Sequence, residues 1–205
     1  VKSRSKGDKR MELIFDGTAL QAVDLLSSSL HGLLTSGAAP WFHLDMKDEN
    51  IGRDDEVREW LQDTSQRMLR GFDQSNFGTE VHEMYVDLVV FGTGCMFVEM
   101  EDDALRFSTR HISEFYIQEN QFGMVDTVFR SYKSPVRQVV QRFGIENVTD
   151  YIAKKNQDKP DEEIEILHVV IPREDRDKTK VDNKNMPFAS IYIDMQSSAM
   201  LSESG

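Results

Sequence analysis

Apolar side chains recur about every 3.6 residues in two adjoining stretches between Val57 and Glu99. The first carries Val57, Trp60, Leu61, Met68, Leu69 and Phe72; after the SNFG break the second carries Val81, Met84, Tyr85, Leu88 and Val89. Each pattern predicts a helix that buries one stripe and leaves its acids in water. The second runs through Phe91-Gly92-Thr93-Gly94 into Cys95 to Val98, a short apolar segment that reads as a strand. Gly92 and Gly94 are expected to form a structural turn, with backbone angles and a close approach that side chains would block. Two helices leading through a glycine turn into a sheet build a core, and they name no chemistry.

Upstream, a helix is expected from Ala19, capped by Asp16 or Thr18, with Leu20, Val23, Leu26, Leu30, Leu33 and Leu34 down one side. Ser27, Ser28 and Ser29 form a small-residue face on which another helix can lie close, and Gly37 and Pro40 end the element. Trp41-Phe42 reads as an anchor packed on a neighbouring layer. Asp45 to Glu56 reads as a solvated polar connection, with Asp54 or Asp55 capping the next helix and Ser75 or Asn76 the one after.

Downstream the period changes to two. Leu105 to Ser108, Glu114 to Gln118 and Gly123 to Arg130 are predicted strands, the last two joined by a turn over Glu119 to Gly123. Ser134-Pro135 opens a helix with proline in its first turn, carrying Val136, Val139, Val140 and Phe143 and closed by Gly144; a shorter helix spans Val148 to Lys155. Ile164 to Ile171 and Phe188 to Met195 pair as a hairpin. Its sixteen-residue tip, 172–187, is charged and mobile, and reaches towards a partner. The closing MLSESG stops without a completing element, which marks a fragment boundary. The fold class is α+β, a helical amino-terminal half followed by antiparallel sheet elements.

Charge divides the chain unevenly. The first ten residues hold Lys2, Arg4, Lys6, Lys9 and Arg10 against one acid, net +4, so the remaining body carries −16 of the total −12. Such a body has no broad basic face to track a phosphate backbone. The five basic residues of the disordered, solubilising end are the sole candidates for a weak nucleic-acid contact. The lone Cys95 rules out an internal disulfide framework and reads as a small buried hydrophobe in a protein made in reducing cytoplasm. No apolar run approaches the ~18 residues of a membrane span.

Catalytic chemistry has no foothold. His31, His43, His82, His111 and His168 lie on different predicted elements without ligand spacing, so no metal site is expected. Asp48, Asn50, Gly52 and Asp54 misplace the glycine and closing glutamate of a calcium loop. FGTG leads from helix to strand with no Lys-Ser/Thr after it, the wrong polarity for a phosphate cradle. No serine has a GxSxG context, and acid pairs carry no specificity among 36 acids. Neither enzyme nor cofactor is expected.

Several segments together carry a resemblance: AAPWFHL (Ala38 to Leu44), SNFG (Ser75 to Gly78), YVDLVVFGTGCMFVE (Tyr85 to Glu99), FGMVDTVFRSY (Phe122 to Tyr132), VVQRFG (Val139 to Gly144), LHVVIPR (Leu167 to Arg173) and MPFASIYID (Met186 to Asp194). In that order they resemble the portal, or head-to-tail connector, proteins of short-tailed, T7-like bacteriophages, over the chain from about Asp16 onward. After the basic, disordered end (1–15) that composition marks, the resemblance implies a helical part (16–100) and an α+β part (101–205, with the excursion 172–187) of a wing-like domain, without stem, clip or crown. It further implies a cyclic homo-oligomer of twelve subunits at one capsid vertex of the virion, assembled in the host cytoplasm. Double-stranded DNA would pass through it during packaging and ejection. Its partners would be the major capsid protein, tail adaptor, scaffold and terminase, with no membrane and no bond chemistry. The competing expectation is an acidic adaptor or scaffold protein without a DNA channel; a carboxylate and divalent-metal hydrolase is a third.

Overall fold

The structure, a computed structural model, describes residues 16–52, 54–101 and 104–204. It consists of two compact units, one ending at His111 and one beginning at Ile112. The division falls after His111 rather than at 100/101. A strand at Cys95–Glu101 (β1) is laddered to one at Ala104–Arg110 (β2), from Cys95↔Arg110 to Met100↔Leu105, and a boundary at 100/101 would cut that ladder.

Among the described residues the first unit holds four helices: α1 Thr18–Leu34, α2 Glu49–Gly52, α3 Asp55–Gln74 and α4 Phe77–Phe91. α1 starts after Gly17 rather than after a capping side chain. Asp16 instead accepts from the Thr18 amide at 2.9 Å and the Thr18 hydroxyl at 2.7 Å. Those contacts, the hydroxyl foremost, hold the Asp16 carboxyl below its usual range. α1 ends at Leu34, before Gly37, where Thr35 donates its amide to the His31 carbonyl at 3.1 Å. It lies on α4: Thr35 Oγ1 is 3.2 Å from Tyr85 Oη, and the His31 ring is tilted against those of His82 and Tyr85. Ser27 is fully buried, its hydroxyl turned back onto the Val23 carbonyl at 2.8 Å, so a small polar residue fills the tightest position on the helix.

The connection expected to be wholly irregular between Asp45 and Glu56 contains α2, a single helical turn. Asp54 caps α3 by accepting from the Glu56 amide at 2.9 Å. The Trp41-Phe42 anchor inserts into a ring cluster. Trp41 stacks on Phe77 at 5.6 Å and 7°, Phe42 meets Phe72 edge-on, and Phe107 of β2 packs on both Phe72 and Phe77. A two-stranded ribbon is marginal alone; here the start of α4 holds it. Asn76 donates to the Phe107 carbonyl (2.8 Å) and accepts from its amide (2.9 Å), while Glu80 accepts from the Thr109 amide. These bonds use β2 backbone groups that the ribbon itself leaves open.

The second unit is a five-stranded antiparallel sheet in sequence order: β3 Phe115–Glu119, β4 Val125–Pro135, β5 Glu163–Pro172, β6 Phe188–Asp194 and β7 Ala199–Ser204. Helices α5 (Val136–Phe143) and α6 (Asp150–Asp158) cover one face. Pro135 is the N-cap of α5, not part of its first turn, because β4 runs on to that residue. Val136, Val139, Ile152, Ile164, Ile166, Tyr192 and Leu201 form the core. Burial of each large apolar side chain there is worth ~1.5–3 kcal/mol. The chain's last segment, expected to lack a completing element, is β7, held to β6 by pairs from Asp194↔Ala199 to Ser190↔Ser204. Fully buried Asp194 accepts from the Gln196 and Ser197 amides and the Ser197 hydroxyl, which makes the turn between them.

Candidate functional site

At the glycine turn the two glycines do different work. Gly92 caps α4 in the left-handed region (φ 76°, ψ 3°), its amide donating to the Leu88 carbonyl at 2.9 Å, with open space where a side chain would stand. Gly94 does not share that backbone region. A Cβ there would sit 2.9 Å from Met84 Cγ and 3.2 Å from the Met84 carbonyl oxygen, so the chain leaving the turn passes directly against the flank of α4. The turn receives a helix carboxyl end, whose carbonyls repel phosphate. Cys95, next along, is half-buried rather than buried.

The residues weighed for chemistry do not gather into one site, although one histidine pair meets. No group of three or more His, Cys, Asp or Glu side chains among the described residues is placed to hold a metal ion. His31 and His82 meet at ring centroids 5.7 Å apart between α1 and α4. His168 is buried in the second unit, Nε2 2.8 Å from Ser190 Oγ and stacked on Tyr192 at 4.0 Å. Asp54 of the calcium-like segment is occupied as a helix cap. Lys2, Arg4, Lys6, Lys9 and Arg10 lie outside the described residues. Two open cavities of about 380 and 370 Å³ flank α3; one is lined by Ser36, Trp41 and Asp73, the other by Phe42, Arg58 and Ser65. No described helix is long and apolar enough to cross a membrane.

The excursion 172–187 carries a defined set of turns. Asp177 accepts from the Thr179 hydroxyl (2.7 Å) and amide (3.0 Å), contacts that, in that order, hold its carboxyl below the ordinary range. Asp182 accepts from the Lys184 and Asn185 amides, both at 3.0 Å. Arg173 roots the loop: it donates to the Lys184 carbonyl at 2.6 Å and pairs with Glu203 of β7 at 2.7 Å.

What the periodicity did not single out is how much apolar surface faces water. On α1, Leu20, Leu25, Leu26, Leu33 and Leu34 are exposed, Leu33 to 83%. In the second unit, Tyr116 and Ile117 of β3 and Phe122, Met124 and Val125 beyond it are exposed, Phe122 to 75%. Patches of this kind on soluble chains mark contact surfaces. The signals were present: Leu25 falls outside the leucine stripe of α1, and NQFGMV puts Phe and Met into a turn that ordinarily takes polar residues.

Comparison with known proteins agrees with a chain whose conspicuous features are surfaces and turns. A portal protein of Salmonella phage epsilon15 is 35% identical over 205 residues, covering 98% of this chain and 37% of that protein. A probable portal protein of Bordetella phage BPP-1 is 30% identical over 196 residues, covering 95% of this chain and 35% of that one. The chain thus spans little more than a third of the length of these relatives. The family model described as bacteriophage head to tail connecting protein matches residues 1–205, and the chain belongs to that family.

Proposed function

We propose that the chain is the amino-terminal, wing-like part of a portal subunit, with stem, clip and crown in the portion of the relatives it does not span. Twelve such subunits close into a ring at one vertex of the virion, assembled in the host cytoplasm. Double-stranded DNA passes through the ring on packaging and ejection. The major capsid protein, scaffold, terminase and tail adaptor dock on it, and it carries out no bond chemistry of its own. The observation that carries this reading is the match over all 205 residues to the head-to-tail connecting family, in company with two phage proteins named for the portal.

The charge distribution supports it. Each phosphate contact adds salt-dependent affinity, and a wall past which DNA must slide works better without many of them. A −16 body meets that requirement. Native mass measurement and particle images of the full-length protein test the reading. A closed ring with a central hole is expected. A compact monomer or dimer at high concentration refutes it and fits the acidic adaptor or scaffold instead.

A further inference from the structure

The five-stranded sheet has two edges, β3 on one side and β7 on the other, each with a strand partner on one side only among the described residues. Edge strands offer rows of backbone donors and acceptors, and proteins ordinarily blunt them with lysine, proline or inward charge. Neither edge is blunted in that way, although β7 is bulged at Leu201, where pairing steps from Tyr192↔Ser202 to Ile193↔Met200. β3 reads FYIQE and β7 reads AMLSES, with no lysine or proline and one acid each, and Glu203 is already paired with Arg173. The register shift at 118/119 leaves regular pairing over 115–118 of β3.

We propose that the β3 edge of one subunit pairs with the β7 edge of a second copy of this chain, so that the sheet continues from subunit to subunit; the inference rests on the cyclic-oligomer reading. Strand direction makes the joint repeatable. Neighbouring strands are antiparallel throughout, so β3, β5 and β7 all run the same way. A copy carried round a ring axis keeps its strand direction and presents β3 parallel to the β7 it meets, a permitted ladder. The contact joins two different edges of one sheet, which is the heterologous geometry that closes rings.

Side chains and charge favour a second copy over other occupants. The register chain Tyr116↔Phe129↔Val169↔Ile191 and the pair Ile193↔Met200 put Tyr116 and Met200 on the sheet face away from the core residues Ile166 and Tyr192. There they stand at opposite edges, 69% and 59% exposed. The joint puts those two apolar residues on one face of the continued sheet, where each edge gains apolar cover from the other. In a chain of net charge −12, two copies approach most readily where both surfaces are close to neutral.

The test uses the full-length protein on a Cys95→Ser background, with Tyr116→Cys and Met200→Cys combined and treated with a short bis-maleimide. Within one subunit the edges are four strand spacings apart, ~19 Å, beyond the reagent, so only neighbouring copies can be linked. A ladder of covalent multimers from the double variant, absent from each single variant, is expected. A ring by native mass with the double variant remaining monomeric on a denaturing gel overturns the edge pairing and leaves the portal reading standing. In that case β7 is covered by the subunit's own further chain or β3 by a different protein. Absence of any ring in the unmodified protein overturns both. Tyr116→Lys with Ile117→Lys, both at exposed positions, should abolish the ring while leaving the subunit's thermal midpoint unchanged; a surviving ring also overturns the proposal.

Discussion

Gly92 and Gly94 lie two residues apart, and their substitution should separate two physical costs. At Gly92 the cost is conformational: φ is 76° and nothing stands within 4 Å of an added Cβ. An L residue forced into the left-handed region loses ~1–2 kcal/mol, and asparagine, which visits that region, loses less. Gly92→Asn should therefore cost under ~1 kcal/mol, and Gly92→Val the upper part of the range or beyond. At Gly94 the cost is steric. The Met84 Cγ at 2.9 Å belongs to a flexible side chain, but the Met84 carbonyl at 3.2 Å is fixed by α4. Relief therefore requires the strand entrance to shift, and overpacking of this kind costs ~1–3 kcal/mol. For a chain of this length that corresponds to a fall in Tm of about 2–12 °C. Circular-dichroism melts of Gly92→Asn, Gly94→Ala, Gly94→Val and Gly94→Ala with Met84→Ala provide the assay. The double variant should recover part of the loss, the share due to Cγ, and leave the share due to the carbonyl. A Gly94→Val melt equal to wild type, or a Gly92→Asn loss as large as that of Gly94→Val, refutes the reasoning.

Removing the α3 cap by Asp54→Ala should cost ~1 kcal/mol in chemical denaturation, whereas Asp54→Ser should cost little; equal losses would mean that the bond to Glu56 contributes nothing. Lys155 Nζ lies 2.8 Å from both Glu162 Oε1 and Tyr151 Oη. Bonding to Glu162, then to Tyr151, raises the lysine pKa, and bonding to Lys155 lowers that of Glu162. The carboxylate's contribution to stability is thus present above the ordinary glutamate pKa and lost as pH falls through its lowered value. The ammonium's is present below the ordinary lysine pKa and lost as pH rises through its raised value. Glu162→Gln should flatten both limbs of denaturation midpoint against pH, and an unchanged profile counts against the pair. Deleting residues 1–10 should abolish weak, sequence-independent binding to duplex DNA without altering the melt. In the intact protein each neutralised phosphate should add ~0.9 to the slope of log affinity against log salt; tight or salt-resistant binding by the truncated protein contradicts the electrostatic argument.

Much of the fold was legible because local chemistry and tertiary context agree. Asp54 caps α3 and Gly144 closes α5 at φ 85°, each a short-range signal that packing reinforces. The misreadings occurred where context overrode the local pattern. α2 forms inside a polar connection, and β4 continues five residues past Arg130 to Pro135. β4 goes on because β5 pairs with it as far as Pro135↔Glu163, a partner more than 25 residues away. β7 was missed because AMLSES alternates weakly and owes its strand conformation to β6.

The functional surfaces were harder to read, and the reason lies in what periodicity measures. A 3.6-residue repeat reports that a helix has an apolar side; it does not say whether the covering layer belongs to the same chain. On α3, Leu61 and Ser65 are buried, yet Trp60, counted in the same stripe, is 62% exposed. On α1 the position fully buried is Ser27, while most of the leucines that defined the stripe face water. Burial on α1 is centred on Ser27 and the α4 contact, with Val23 and Leu30 of the stripe half-buried and the other leucines exposed. Among the described residues those side chains have no covering layer, and exposed apolar patches of this kind mark contact surfaces. The same holds for Phe122 and Met124 in a turn: their cost to a solitary chain is exposed apolar area, and that cost is offset only if a neighbour covers them.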